Sequence, residues 1–128
     1  MNLLLDTCTF LWMVTGDDAL SRAARDAIRD PDNAVYLSPV SAWEIAVKHG
    51  LGRLELATPP DVFVPRARDL HGIEELPLTE QAVLYLPRLP AAHRDPFDRM
   101  LVCQSLAGGH TLVSPDTLLS AYPVRLLW

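Results

Sequence analysis

Apolar residues arrive along this chain in short blocks separated by stretches of helical spacing. Asn2-Leu3-Leu4-Leu5 reads as a short buried strand and stops at Asp6. Residues 7–14 predict a helix, closed by Gly16-Asp17-Asp18. In 20–29 the positions Leu20, Ala24, Ala27 and Ile28 share one helical face, with Ser21 as a candidate cap. Asp30-Pro31-Asp32-Asn33 is a turn by composition, and Ala34–Leu37 predicts a second strand. Ser38-Pro39 then opens a helix to about residue 49, flanked at its end by Gly50 and Gly52.

Pro59-Pro60 interrupts the chain before a helix over 61–70, which Gly72 stops. Residues 73–76 predict a short strand and 79–86 a helix with Thr79 as its cap. Residues 87–96 hold three prolines and read as irregular. A strongly apolar helix over 96–106 ends at Gly108-Gly109. Thr111–Val113 is a strand, 115–121 a short helix or turn, and 124–127 a last strand. Short strands alternating with helices predict an α/β sandwich around a mostly parallel sheet. In such sheets ligands sit beyond the carboxyl ends of the strands. Asp6, Ser38 and Ser114-Pro115-Asp116 each follow a predicted strand, so this edge is where chemistry is expected.

Composition narrows the picture in three ways. A chain of 128 residues, 49% hydrophobic and 21% charged, fits one domain over 1–128 with a core that needs no staples. Cys8 and Cys103 both lie in apolar stretches, so buried free thiols are expected and neither spacing nor number suggests a zinc site. No apolar run reaches the roughly 18 residues that span a bilayer, and no secretory leader pattern is visible, so no membrane partner and a cytoplasmic location are expected. The formal net charge of −5 argues against broad non-specific nucleic-acid binding. It leaves room for a nuclease whose acidic site itself lowers the charge.

Four acids, Asp6, Glu44, Asp98 and Asp116, stand at comparable junctions. Each has a structural explanation. Asp6 suits a helix cap or an Asx turn. Glu44 follows Ser41 at capping-box spacing. Asp98 stands third in its helix if Asp95 is the cap and Pro96 the first residue, where a carboxylate favours the helix dipole by ~0.3–1 kcal/mol. Asp116 suits the turn after Ser114-Pro115. Brought together they mean something else. Two carboxylates ~4 Å apart repel by about 4 kcal/mol at an effective dielectric of 20. Divalent cations would remove that penalty, and an all-oxygen ligand set selects magnesium or manganese.

The stretches "LLLDTCTFLW", "SPVSAWEIAVKHGLGRL", "HRDPFDRMLVCQSL" and "LVSPDTLLSAYPVRLLW" resemble, in order, the successive motifs of the PIN-domain ribonucleases. More narrowly they are similar to the VapC-type toxins of bacterial toxin–antitoxin pairs. "HRDPFDRML" is the most specific piece and "SAWEIAVK" the next. The resemblance implies a three-layer α/β/α sandwich with a parallel sheet of four or five strands and a metal-dependent endoribonuclease acting on structured RNA such as tRNA. Matched motif by motif, Asp6, Glu44 and Asp98 take the central acidic positions and Asp116 the fourth, with Mg2+ or Mn2+ as the cofactor. Thr7 matches the hydroxyl residue after the first acid, placed to bond Asp6 or a water on the metal. Ser114 matches the hydroxyl residue two before the fourth acid, although Pro115 between them departs from the pattern. Asp95 reads first as the helix cap and second as an outer acid. A homodimer and a cognate VapB-type antitoxin are the implied partners.

Lys48 and Arg99 are the cations nearest the acids in sequence. Lys48 stands four residues after Glu44, which suits an ordinary helical ion pair as well as a phosphate contact; Arg99 leaves the same two roles open. The histidines His49, His71, His93 and His110 make no spaced pair with one another, so a histidine metal site is not expected. Trp12, Trp43 and Trp128 suit core or partner contacts better than stacking on RNA bases. Two other functions compete. A haloacid-dehalogenase-like phosphatase also opens with an aspartate after an apolar strand, but needs a second aspartate where this chain has Cys8. A non-enzymatic interaction domain of the same fold is the other, and all four acidic positions being filled gives no sign of decay.

Overall fold

The computed structural model describes residues Met1–Trp128. In chain order its elements are β1 (Asn2–Leu5), α1 (Thr7–Thr15), α2 (Arg22–Arg29), β2 (Ala34–Leu37), α3 (Pro39–Gly50), α4 (Pro60–His71), β3 (Glu74–Glu75), α5 (Glu80–Val83), α6 (Pro96–Gly108), β4 (Thr111–Val113) and β5 (Leu126–Leu127). Two 3-10 turns, Leu86–Arg88 and Thr117–Ala121, complete the set.

The sheet order is β3-β2-β1-β4-β5, and every pairing is parallel. Strand β1 explains why. Leu3, Leu4 and Leu5 are all fully buried, so both faces of this strand are covered. A continuous apolar run, rather than an alternating one, is what a parallel strand between two helical layers requires. Leu3 and Leu5 pack with Phe10 of α1, Ala24 of α2, Ile45 of α3 and Val64 and Ala67 of α4. Leu4 points the other way, into Leu101, Val102 and Cys103 of α6, with Leu89, Leu119 and Tyr122. The result is a three-layer α/β/α sandwich. Truncating Leu4 to Ala would cost about 2–5 kcal/mol, the usual range for a fully buried leucine.

Helix boundaries follow local chemistry. Ser21 Oγ accepts from Ala24 N and caps α2, and Ser38 Oγ accepts from Val40 N and caps α3. The capping role therefore falls to Ser38, not to a Ser41–Glu44 box; Ser41 and Glu44 are buried and turned inward. The helix expected over 79–86 is shorter: α5 ends at Val83 and a 3-10 turn follows. Pro87 accounts for this, since it donates no backbone hydrogen bond and disfavours α geometry in the residue before it. The edge strands are also shorter than expected, two residues each, because only Glu74–Glu75 and Leu126–Leu127 stay in register with β2 and β4.

The topology decides where a site can form. From β1 the chain steps to β2 and β3 on one side, then crosses to β4 and β5 on the other. The crevice between β1 and β4 is the place where strand order reverses, the usual ligand position in open parallel sheets. Leu5 and Val113 are register partners there, and Asp6 N donates to Val113 O at 3.1 Å. The residues just beyond them, Asp6 and Ser114, therefore emerge side by side.

Candidate active site

Asp6 ends β1 and caps α1: its Oδ1 accepts from Thr9 N at 2.9 Å. The side chain is buried, and the Cys8 thiol lies 3.4 and 3.5 Å from its two oxygens. Burial, the Asp6 charge and this hydrogen bond push the Cys8 thiol far up, so it stays protonated and offers no thiolate. The position that a phosphatase would fill with an acid thus holds a neutral donor.

Glu44 is buried on α3 and is held from two directions. The Thr7 hydroxyl of α1 donates to its Oε1 at 2.6 Å and shares a hydrogen bond with Ser41 Oγ at 3.1 Å. Lys48, one turn further along α3, donates to Oε2. Thr7 therefore serves Glu44 rather than Asp6. The bond to Glu44 drives the Lys48 ammonium pKa upward, against a smaller opposing effect of burial.

Asp98 stands in the first turn of α6. Asp95 caps that helix, its Oδ1 accepting from Phe97 N at 2.8 Å and Asp98 N at 3.2 Å, with Pro96 in the first helical position. The Asp98 carboxyl is pushed up to about 7, by burial first and then by the charges of Asp95, Asp6 and Glu44. No lysine or arginine pairs with it. Asp116 follows β4 through a tight turn in which Ser114 Oγ accepts from Asp116 N at 3.1 Å. Its Oδ1 accepts from Leu118 N at 2.9 Å and its Oδ2 lies 2.7 Å from His93 Nε2. Burial would raise the Asp116 carboxyl, but the His93 and Leu118 hydrogen bonds outweigh it and hold the group below the usual carboxylate range.

All four acids line one cleft of about 380 Å³, together with Thr7, Cys8, Lys48, Arg53, Asp95 and Pro115. Pro115 does not turn Asp116 away. Arg99 is not in the cleft; its Nη1 donates to Pro90 O at 3.0 Å and Tyr122 Oη at 3.2 Å and ties down the loop before α6. Two residues that bear on the acids, Arg53 lining the cleft and His93 beside it, escape the sequence. Arg53 reaches the cleft from the turn after α3 and has no ion-pair partner. His93 touches Asp116 and lies 3.6 Å from Asp98 Oδ2, and the three could share a cation. His93 has no histidine at a paired spacing; its sequence signal is the short interval to Asp95 and Asp98. The tryptophans divide: Trp12 packs on Trp128 with ring centres 5.8 Å apart, whereas Trp43 is 57% exposed and edge-on to Phe97.

An all-parallel α/β sandwich with acids gathered beyond β1 and β4 defines the class, and the family model agrees. Residues 3–124 match the PIN domain, and the chain belongs to that family. No curated protein matches it in sequence. Among solved structures it is similar to VapBC2 from Rickettsia felis bound to a promoter DNA fragment (TM-score 0.71, 13% identity, 98% of this chain and 97% of that one). It is also similar to DNA-bound VapBC from Salmonella typhimurium (TM-score 0.69, 17% identity, 98% and 96%). A third is VapBC-5 from Mycobacterium tuberculosis, described as a member of the VapBC family of toxin-antitoxin systems (TM-score 0.60, 16% identity, 98% and 96%). These likenesses establish a shared fold. No helix is long and apolar enough to cross a membrane.

Proposed function

We propose that residues 1–128 form one PIN domain acting as a metal-dependent endoribonuclease, the toxin half of a VapBC-type pair. The observation that carries this is the convergence of Asp6, Glu44, Asp98 and Asp116, from four separate segments, on one cleft at the strand-order reversal. The donor set fits a hard divalent cation. Carboxylate oxygens dominate, the one thiol nearby stays protonated, and Asp98 carries repulsion from Asp95, Asp6 and Glu44 with no lysine or arginine paired to it. Magnesium or manganese suits such oxygens.

Asp6, Glu44 and Asp98 are the residues proposed to hold the cation, with Asp116 helping; Glu44 is the one already bonded by Thr7 and Lys48. When bound, the cation supplies the positive charge that makes a water nucleophilic and stabilises the oxygen leaving phosphorus. The protein's own share is positional. Thr7 and Lys48 keep Glu44 in one orientation, and Ser114 holds the backbone turn that presents Asp116. Arg53, with Lys48 beside it, gives the cleft a cationic wall for the phosphate backbone of RNA. The cation relieves the acidic repulsion, so a chain of net charge −5 can take an anionic substrate there. Structured RNA such as tRNA is the proposed substrate class. A VapB-type antitoxin, a homodimer and a cytoplasmic setting complete the proposal, supported by the fold shared with chains of VapBC complexes.

Asp6→Asn tests it cleanly, because asparagine still caps α1 while losing its charge. With Mg2+ or Mn2+ and total RNA, the parent chain should cleave and the variant should not, with unchanged melting. Undiminished cleavage by a correctly folded Asp6→Asn protein would overturn the reading.

A further inference from the structure

His93 lies in the irregular segment before α6, with a side chain only 11% exposed. Its Nε2 is 2.7 Å from Asp116 Oδ2 and 3.6 Å from Asp98 Oδ2. Donor atoms of these three residues all lie within 4.8 Å of one another, close enough to share a cation. The imidazole has two alternative uses here. It can lend Nε2 to a cation as a nitrogen ligand, or use the Nε2 proton to hold Asp116.

The other ring nitrogen decides. Asp95 N donates to His93 Nδ1 at 3.0 Å. A nitrogen that accepts a hydrogen bond carries no proton, so the neutral ring keeps its proton on Nε2. That proton points at Asp116 Oδ2. A protonated nitrogen has no lone pair to offer a cation. The backbone around His93 is pinned as well: His93 N donates to Tyr122 Oη at 2.9 Å, and Arg99 Nη1 lies 3.5 Å from His93 O.

We infer that His93 is a positioning residue for Asp116, donating its Nε2 proton to that carboxylate, and is not a ligand of the cation. This accounts for the "HRDPFDR" stretch as one local unit. Asp95 uses its N–H to set the His93 ring and its carboxylate to cap α6, so that Asp98 and Asp116 are aimed together. Asp116 Oδ1 is already taken by Leu118 N, so the His93 bond fixes its second oxygen. It also ties the loop before α6 to the turn after β4, across 23 residues of sequence. The inference rests on the proposed nuclease reading only where it assigns Asp116 to the cation.

Two measurements, neither of which needs RNA cleavage, test it. Nitrogen NMR of the imidazole rings in the metal-free protein should find His93 protonated on Nε2 and bare on Nδ1; the opposite tautomer overturns the inference. Mn2+ binding by EPR is then compared among the parent chain, His93→Ala and His93→Gln. Glutamine keeps a donor near the Nε2 position and offers no imidazole lone pair. His93→Ala should bind Mn2+ on the order of 10–100-fold more weakly, the usual cost of losing an outer hydrogen bond to a ligand. His93→Gln should recover to within about threefold of the parent by the same measure. Equal losses in both variants, unchanged binding in His93→Ala, or ¹⁴N coupling to Mn2+ that His93→Gln abolishes would each overturn the inference. If His93→Ala fails to fold, the glutamine variant and the tautomer still decide it. A parent chain that binds no Mn2+ sinks the nuclease reading instead, and the NMR result then stands alone for His93.

Discussion

Glu44 and Asp98 line the same cleft, yet their carboxylates meet opposite surroundings. Glu44 is buried in the middle of α3, where Thr7 reaches one oxygen and Lys48 the other. Its charge is built into the fold. Asp98 is also largely shielded from water, but the charges of Asp95, Asp6 and Glu44 bear on it, no lysine or arginine pairs with it, and His93, 3.6 Å from its Oδ2, opposes them only in part. Position explains the difference. A residue inside a helix has a partner one turn on, whereas a residue in the first turn sits beside the acid that caps the helix. One carboxylate is held by partners inside the fold, and the other is left without a lysine or arginine partner.

The sharpest way to break this contrast is to neutralise Asp98. Asp98→Asn should lower metal-dependent RNA cleavage on the order of 10³-fold, as expected when an electrostatic stabiliser leaves an active site. The same change should raise the thermal midpoint of the metal-free protein at pH 8, since it removes a desolvated, repelled charge. A loss of midpoint would mean that Asp98 is structural after all.

Glu44→Ala should do the reverse to stability. It removes the acceptor of the buried Thr7 hydroxyl and the partner of Lys48, and urea unfolding should show a loss of about 1–3 kcal/mol. Glu44→Gln should lose less, because it keeps an oxygen for Thr7.

The acid contrast also has a pH signature. The Asp98 carboxyl is near 7 in the folded chain against an ordinary value of 3.8. The folded state thus holds this proton more tightly than the unfolded one. Its contribution is fully present below about pH 4 and is lost as pH rises through about 7. Thermal melts in EDTA should show that decline, Asp98→Asn should remove it, and Mg2+ at pH 8 should reverse it. A metal-free midpoint that stays level from pH 5 to 8 would count against the asymmetry. The smallest effect belongs to Lys48→Met. The ammonium is about half exposed, so the pair contributes at most about 1 kcal/mol, measurable as a small shift in urea midpoint.

Much of this was legible in the chain itself. The run Leu3-Leu4-Leu5 announces a strand covered on both faces, and Ser21, Thr79 and Asp95 announce helix starts that the structure keeps. Asp6, Asp98 and Asp116 stand out because each follows a strand or opens a helix, whereas Glu44 lies inside α3. The Glu44–Lys48 pair was visible because both partners lie one turn apart on one helix. What escaped depends on separate segments meeting. Nothing local says that the Thr7 hydroxyl goes to Glu44 and not to Asp6, or that Arg53 turns into the cleft while Arg99 turns away from it.

His93 marks the boundary most clearly. The sequence by itself determined the alternation of strands and helices, the caps that start the helices, and the residue types offered to the strand ends. These rest on short-range spacing and on local hydrogen bonds, which a chain carries wherever it goes. Only the tertiary structure decided that β4 lies beside β1, and so that Asp116 reaches both Asp6's cleft and the His93 ring. That pairing comes from burying Leu4 and Leu112 against α6, a packing choice made across more than a hundred residues. The charges in the cleft follow from where the apolar core lets the strands end.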